Sequence, residues 1–172
     1  MIKLIEDKVV LEDGFNYKDY IIKPESINKD IDDFVTGRIP QGFSCGISEL
    51  DNHFLCKKNE FYLLTGKKGD GKTTIHQCLE IMYSMVNDLI WVVAFQENSE
   101  WSMKVNYMGY LLGKFPKDVY NEDRELYNKA SDWIDKHFYF IEVEDIKMAT
   151  EVTKGIIKSG VDVHGLVLDP VN

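Results

Sequence analysis

Four short apolar runs punctuate the chain, each with the branched or aromatic content of a buried strand: FYLLT at 61–65, LIWVVAF at 89–95, FYFIEV at 138–143 and GLVLD at 165–169. Between them the apolar positions recur every three to four residues instead. Ile75, Leu79, Met82 and Val86 form one helical stripe; Trp101, Val105, Met108 and Leu112 a second; Leu126, Ala130, Trp133 and Ile134 a third. A last helix carries Val152, Ile156 and Ile157 and stops at Ser159-Gly160, as the second stops at Gly113. Strands that alternate with helices predict an α/β fold with a mostly parallel sheet flanked by helices on both faces. Ligands of such sheets gather beyond the carboxyl ends of the strands.

The beginning of the chain is patterned differently. Residues 1–40 break short apolar pieces with charges, Gly14, Pro24 and Pro40, which predicts a weak hairpin or arm rather than a strong helix. An N-terminal arm over 1–32 and an α/β unit over 33–172 follow from this reading. GFSCGISELDNHF reads as a turn and then a short helix, with Ser48 as its N-cap and Leu50 and Phe54 on one apolar face.

Composition narrows the function classes. A chain of 172 residues with 44% hydrophobic content can bury a core without disulfides or metals. The formal net charge of −9 excludes a general basic field, so any contact with nucleic acid or an anionic membrane must be local. Cys45, Cys56 and Cys78 are odd in number and form no CxxC pair, which predicts reduced thiols used as core or surface fillers. Charges interrupt every apolar run of MIKLIEDKVVLEDG, leaving no signal-peptide core and no membrane span. A soluble cytoplasmic protein is expected, viral proteins in a host cytoplasm included.

The chemistry concentrates in GKKGDGKTT, residues 66–74, between the first predicted strand and the first predicted helix. Gly66, Gly71, Lys72 and Thr73 satisfy G-x-x-x-x-G-K-[ST] in the strand-loop-helix setting that this phosphate-binding motif requires. Glycines let successive N–H groups of Gly66, Lys67, Lys68, Gly69, Asp70 and Gly71 turn inward, and the helix N-terminus adds positive charge. Lys72 would reach the β- and γ-phosphates, Thr73 would hold Mg2+, and Thr74 would meet the α-phosphate. The Asp70 side chain is expected to point outward.

Two carboxylates follow at strand ends. Glu97, just past the second strand, suits a general base that orients the attacking water; it equally suits the acidic start of the next helix. Asp169 ends the fourth strand, where a carboxylate can hold Mg2+; an ordinary Asp-Pro turn is the other reading. His53, His76, His137 and His164 show neither metal-ligand spacing nor carboxylate pairing and are read as surface or packing residues. Trp91, Trp101 and Trp133 are read as core, and EVED at 142–145 as a strand exit with solvated charge.

With these residues in view, the chain resembles the RecA-like ATPase domain of DnaB-type replicative helicases, including the helicase part of Twinkle and of phage primase-helicases. The likeness covers roughly residues 33–172 and rests on four blocks in order: GFSCGISELDNHF, LLTGKKGDGKTT, VAFQENSE and LVLDPVN. It implies a RecA-like P-loop NTPase core, ATP and Mg2+ as cofactors, Glu97 as catalytic base with Lys72 beside it, and Asp169 as the Walker B residue. It also implies single-stranded DNA as a partner, a homo-hexamer, and Leu50 and Asp51 as the family's Leu-Asp pair. Relatives continue past this point with a γ-phosphate sensor, DNA loops and an arginine for the neighbouring site. The chain is therefore expected to be the first half of a motor domain, incomplete at its C-terminus, that binds ATP and hydrolyses it poorly. A RecA-like recombinase or clock-type regulator, and a nucleotide-binding assembly module with little hydrolysis, are the alternatives.

Overall fold

The computed structural model describes residues 3–5, 8–10, 22–37, 42–96 and 99–169. The chain divides into two compact units, 1–41 and 42–172. In the first, strands β1 (Lys3–Ile5) and β2 (Lys8–Val10) pair antiparallel with Leu4 opposite Val9, a small hairpin of the expected kind. A 3-10 turn, Pro24–Ile27, then leads into helix α1, Asn28–Val35. This helix departs from the expectation of no strong helix in the first 40 residues. Proline at the first position of the turn and Ile27, Ile31 and Phe34 at helical spacing account for it.

The second unit is built on three parallel strands in the order β4-β3-β5: β3 is Trp91–Phe95, β4 Phe138–Glu142 and β5 Gly165–Asp169. Trp91 stands opposite Phe138 on one side and Gly165 on the other, and Phe95 opposite Glu142 and Asp169. The strands alternate with α3 (Lys72–Asn87), α4 (Glu100–Leu112), α5 (Pro116–Glu122), α6 (Arg124–His137) and α7 (Ile146–Lys158), after a short α2 (Ser48–Asp51). The mixed α/β class and the parallel sheet are therefore as read from the alternation.

Period-two alternation along β3 sorts the core into two layers. Trp91, Val93 and Phe95, with Phe138 and Phe140, join Ile81, Met103, Tyr107 and Ile134 of α3, α4 and α6. Ala94 belongs to the other face, with Ile141, Leu166, Leu168 and Ala149 of α7. All five residues of β3 are buried, as a strand covered on both faces requires.

Four further expectations fail. Residues 61–65 form no strand and pair with none among the described residues, and Phe61, Leu63 and Leu64 are exposed. The Tyr62 hydroxyl is tied instead to its own turn, through the Lys57 N–H and the Glu60 carboxylate at 2.8 Å each. Helix α3 buries its predicted stripe only in part: Leu79 and Met82 pack against the core, Ile75 and Val86 are about half exposed, and the fully buried line runs through Gln77, Glu80, Ile81 and Ser84. Trp101 is 72% exposed rather than core, because α4 turns Met103, Tyr107 and Met108 inward. Ser48 is the first residue of α2, and the N-cap position falls to Ile47, which makes no side-chain cap.

The other tryptophans do pack. Trp91 is buried with its indole N–H donating to Ser84 Oγ at 3.0 Å, and Trp133 lies against His137 and Phe138. All three cysteines are free thiols. Asp145, in the EVED run, accepts from the Met148 N–H and caps α7.

The end of α3 carries a testable ion pair. Asp88 adopts the left-handed region at φ 56°, and its Oδ1 accepts from Lys136 Nζ at 2.7 Å and faces His137 Nε2 at 2.8 Å. Lys136 and then His137 hold this carboxyl down, at about 2. Because the folded value lies below the unfolded one, the pair contributes stability above about pH 4 and loses it as pH falls towards 2. Asp88 is exposed, so the gain is small and salt-sensitive. Melting temperature measured from pH 5 to pH 2 should fall less steeply for Asp88→Asn, which tolerates the same backbone, than for the parent.

Candidate functional site

Helix α3 starts at Lys72 because Gly71 precedes it in the left-handed conformation, φ 81°, and Gly69 does the same at φ 88°. A side chain at either would strain the turn that brings the loop onto the helix. No side chain caps the first turn, which leaves its N–H groups available to an anion. The glycine loop is thus followed by a 16-residue helix, as the motif predicts, whereas the strand expected before it is absent from the described residues.

Lys72 bends back over this loop. Its ammonium donates to the carbonyls of Gly66 at 3.0 Å and Lys67 at 2.7 Å, contacts it can exchange for phosphate oxygens. Asp70 does not point away as expected: its Oδ2 accepts from the Lys67 N–H at 2.8 Å. A short acid three residues on reaches back to close this bond across the loop, and no glycine count could reveal it. The carboxylate occupies one N–H of the loop. It also crowds Gly66, where a Cβ would stand 3.3 Å from Asp70 Oδ2.

Across the mouth of the loop stands the end of β5. Thr73 Oγ1 lies 3.4 Å from Asp169 Oδ1, a long hydroxyl-to-carboxylate contact. The same carboxylate meets His76: Nε2 is 3.1 Å from Oδ2. That nitrogen is buried without an aligned hydrogen-bond acceptor, so the contact is an ion pair at close range rather than a directed bond. His76 Nδ1 in turn lies 2.6 Å from Glu80 Oε1, and Tyr107 donates to Glu80 Oε2 at 2.5 Å.

These contacts set the charge states. Burial alone would depress His76, but Asp169 and Glu80 outweigh it and raise the imidazole to about 9, so the ring is cationic at neutral pH. His76 holds the Asp169 carboxyl below its usual range, against the opposing effect of burial and with help from Thr73 and Lys72. Glu80 is raised by burial, which His76 and Tyr107 offset only in part, and burial likewise raises Tyr107. His76 is therefore no bystander. Its spacing to Glu80, four residues on, is visible in the sequence as one turn of helix; its partner Asp169 is not.

The remaining candidates are dispersed. Glu97 lies outside the described residues; Gln96 before it donates to the Glu144 carbonyl at 2.7 Å. An open cleft of about 540 Å3 lined by Gln96, Glu142, Val143, Glu144 and Met148 does not include the glycine loop, and its two carboxylates suit a polyanion poorly. Thr74 faces Tyr110, with its Oγ1 3.5 Å from that hydroxyl. Asp51 binds the turn before α2, accepting from Ser44 Oγ at 2.6 Å and the N–H groups of Cys45 and Gly46. His137 is buried against Asp88, and His164 accepts from the Ile90 N–H at 3.2 Å.

The residues present fit a magnesium nucleotide: uncapped first-turn N–H groups, the Lys72 ammonium over the loop, and a hydroxyl and a carboxylate side by side. Among the described residues no cluster of three or more His, Cys, Asp or Glu is placed to hold a metal ion. Among the described residues no helix is long and apolar enough to cross a membrane. The chain matches no protein-family model, no curated protein and no solved structure, so the reading of the site rests on its own residues.

Proposed function

We propose that this chain is the ATP-binding part of a RecA-like, DnaB-type ATPase that couples hydrolysis to movement along single-stranded DNA. One observation carries the nucleotide half of the reading: Thr73 and Asp169, 96 residues apart, meet at 3.4 Å where a glycine loop opens a helix. A chance glycine turn has no reason to face a strand-end carboxylate. The order of the four sequence blocks supports the DNA half, together with the homo-hexamer it brings.

In this reading the first-turn N–H groups of α3 and the loop amides bind the phosphates, and Lys72 leaves the Gly66 and Lys67 carbonyls to neutralise the β- and γ-phosphate oxygens. Thr73 and Asp169 would hold Mg2+, which when bound supplies positive charge against the phosphate oxygens. Glu97 is assigned the general base that orients the attacking water. Asp70 must release the Lys67 N–H before that amide can contribute.

Calorimetric titration of ATP, with Mg2+ and with EDTA, tests the nucleotide half. Binding strengthened by Mg2+ is expected, and Asp169→Asn should lose about tenfold or more of the Mg2+-dependent affinity. No heat of binding at millimolar ATP would refute the reading. Phosphate release stimulated by single-stranded DNA is the corresponding check on the DNA half.

A further inference from the structure

The most heavily engaged side chain at the site lies outside the phosphate-loop motif. His76 stands one turn into α3 from Lys72, with both ring nitrogens facing carboxylates: Nδ1 at Glu80 and Nε2 at Asp169. Glu80 is 4% exposed and Tyr107 fully buried. A carboxylate this deep must have partners. Each of its oxygens has one, His76 from its own helix and Tyr107 from α4. Glu80 is thereby anchored from two elements and fixes the imidazole. The imidazole in turn engages Asp169 Oδ2, which leaves Oδ1 towards Thr73.

We propose that His76 is a positioning residue of the nucleotide site: braced by Glu80 and Tyr107, it orients Asp169 so that Oδ1 is presented beside the Thr73 hydroxyl, where the divalent cation is held. The inference rests on the reading of Thr73 and Asp169 as the cation-holding pair. His76 is not itself read as a ligand, since both of its nitrogens face carboxylates. Partners of this kind, one shell out from the metal, change metal affinity by about 10- to 100-fold when removed.

The test uses the full chain and ATP titrations over a range of Mg2+ concentrations, so that it reads binding and not turnover. His76→Leu should raise the Mg2+ concentration for half-maximal ATP binding about tenfold while leaving affinity in EDTA unchanged. His76→Gln, whose amide can still donate to Asp169, should recover part of that shift. If His76→Leu does not melt cooperatively, His76→Gln and Tyr107→Phe carry the test, each with a smaller shift in the same direction. An unchanged Mg2+ midpoint in folded variants, or an equal loss with and without Mg2+, overturns the inference. A parent that binds no ATP, or whose Mg2+ response survives Asp169→Asn, overturns the cation reading and this inference with it. A parent response abolished by Asp169→Asn but untouched by the His76 variants overturns the positioning role alone.

Discussion

Replacing Lys72 by alanine is expected to weaken ATP binding roughly 10- to 100-fold, the loss of one charge-assisted phosphate contact of about 1.5–3 kcal/mol. The ammonium is already poised at the loop, 3.0 Å and 2.7 Å from the Gly66 and Lys67 carbonyls, so it needs only to swap acceptors when phosphate arrives. The fold should tolerate the change, because both contacts are exposed and α3 begins with the left-handed Gly71 rather than with the lysine side chain. Circular dichroism and melting should therefore match the parent while the calorimetric dissociation constant rises. Equal ATP affinity in parent and variant would remove the loop from the binding site.

Gly165→Ala should be the most destabilising single-methyl change in the sheet, at about 2–3 kcal/mol. Gly165 stands directly opposite Trp91 on the neighbouring strand, and an added Cβ would overlap Cε3 and Cζ3 of the indole. The ring cannot move aside cheaply. Its N–H is bonded to Ser84 Oγ at 3.0 Å, and it packs within the core layer formed with α3. For a domain of this size the expected fall in melting temperature is roughly 5–10 °C. Trp91→Leu in the same chain should relieve the clash, so the two changes together should cost less than the sum of each alone. A melting temperature unaffected by Gly165→Ala would mean that β5 is not paired with β3 in this register.

Much of the frame was legible because it is written in near neighbours. Trp91–Phe95, Phe138–Glu142 and Gly165–Asp169 are strands where branched and aromatic residues cluster, and their parallel pairing follows from the helices between them. The start of α3 at Lys72 was readable from Gly71 and the motif, and the stop of α4 from Gly113, whose φ is 62°. Residues 61–65 show where such reading ends. The run is as apolar as β4, but a strand exists only through a partner, and none of the described strands pairs with it. Helix α3 makes the same point about faces. Its apolar stripe predicts Ile75 and Val86 inside, yet Glu80 and Ser84 are the buried ones because Tyr107, His76 and Trp91 satisfy them.

The sequence by itself determined the α/β alternation, the parallel sheet and the loop that opens a helix at Lys72, since periodicity, glycine placement and motif spacing all act within a few residues. Only the tertiary structure decided that β5 returns beside β3 and so carries Asp169 to Thr73 and His76. It alone turned His76 from a residue read as surface or packing into a bridge between two carboxylates, and Asp70 from an outward side chain into a bond across its own loop. The physical reason is that a local pattern sets which conformation a segment prefers, whereas contacts depend on how the chain is folded: Asp169 meets His76 from a strand far along the chain, and Asp70 meets Lys67 only because the loop curls.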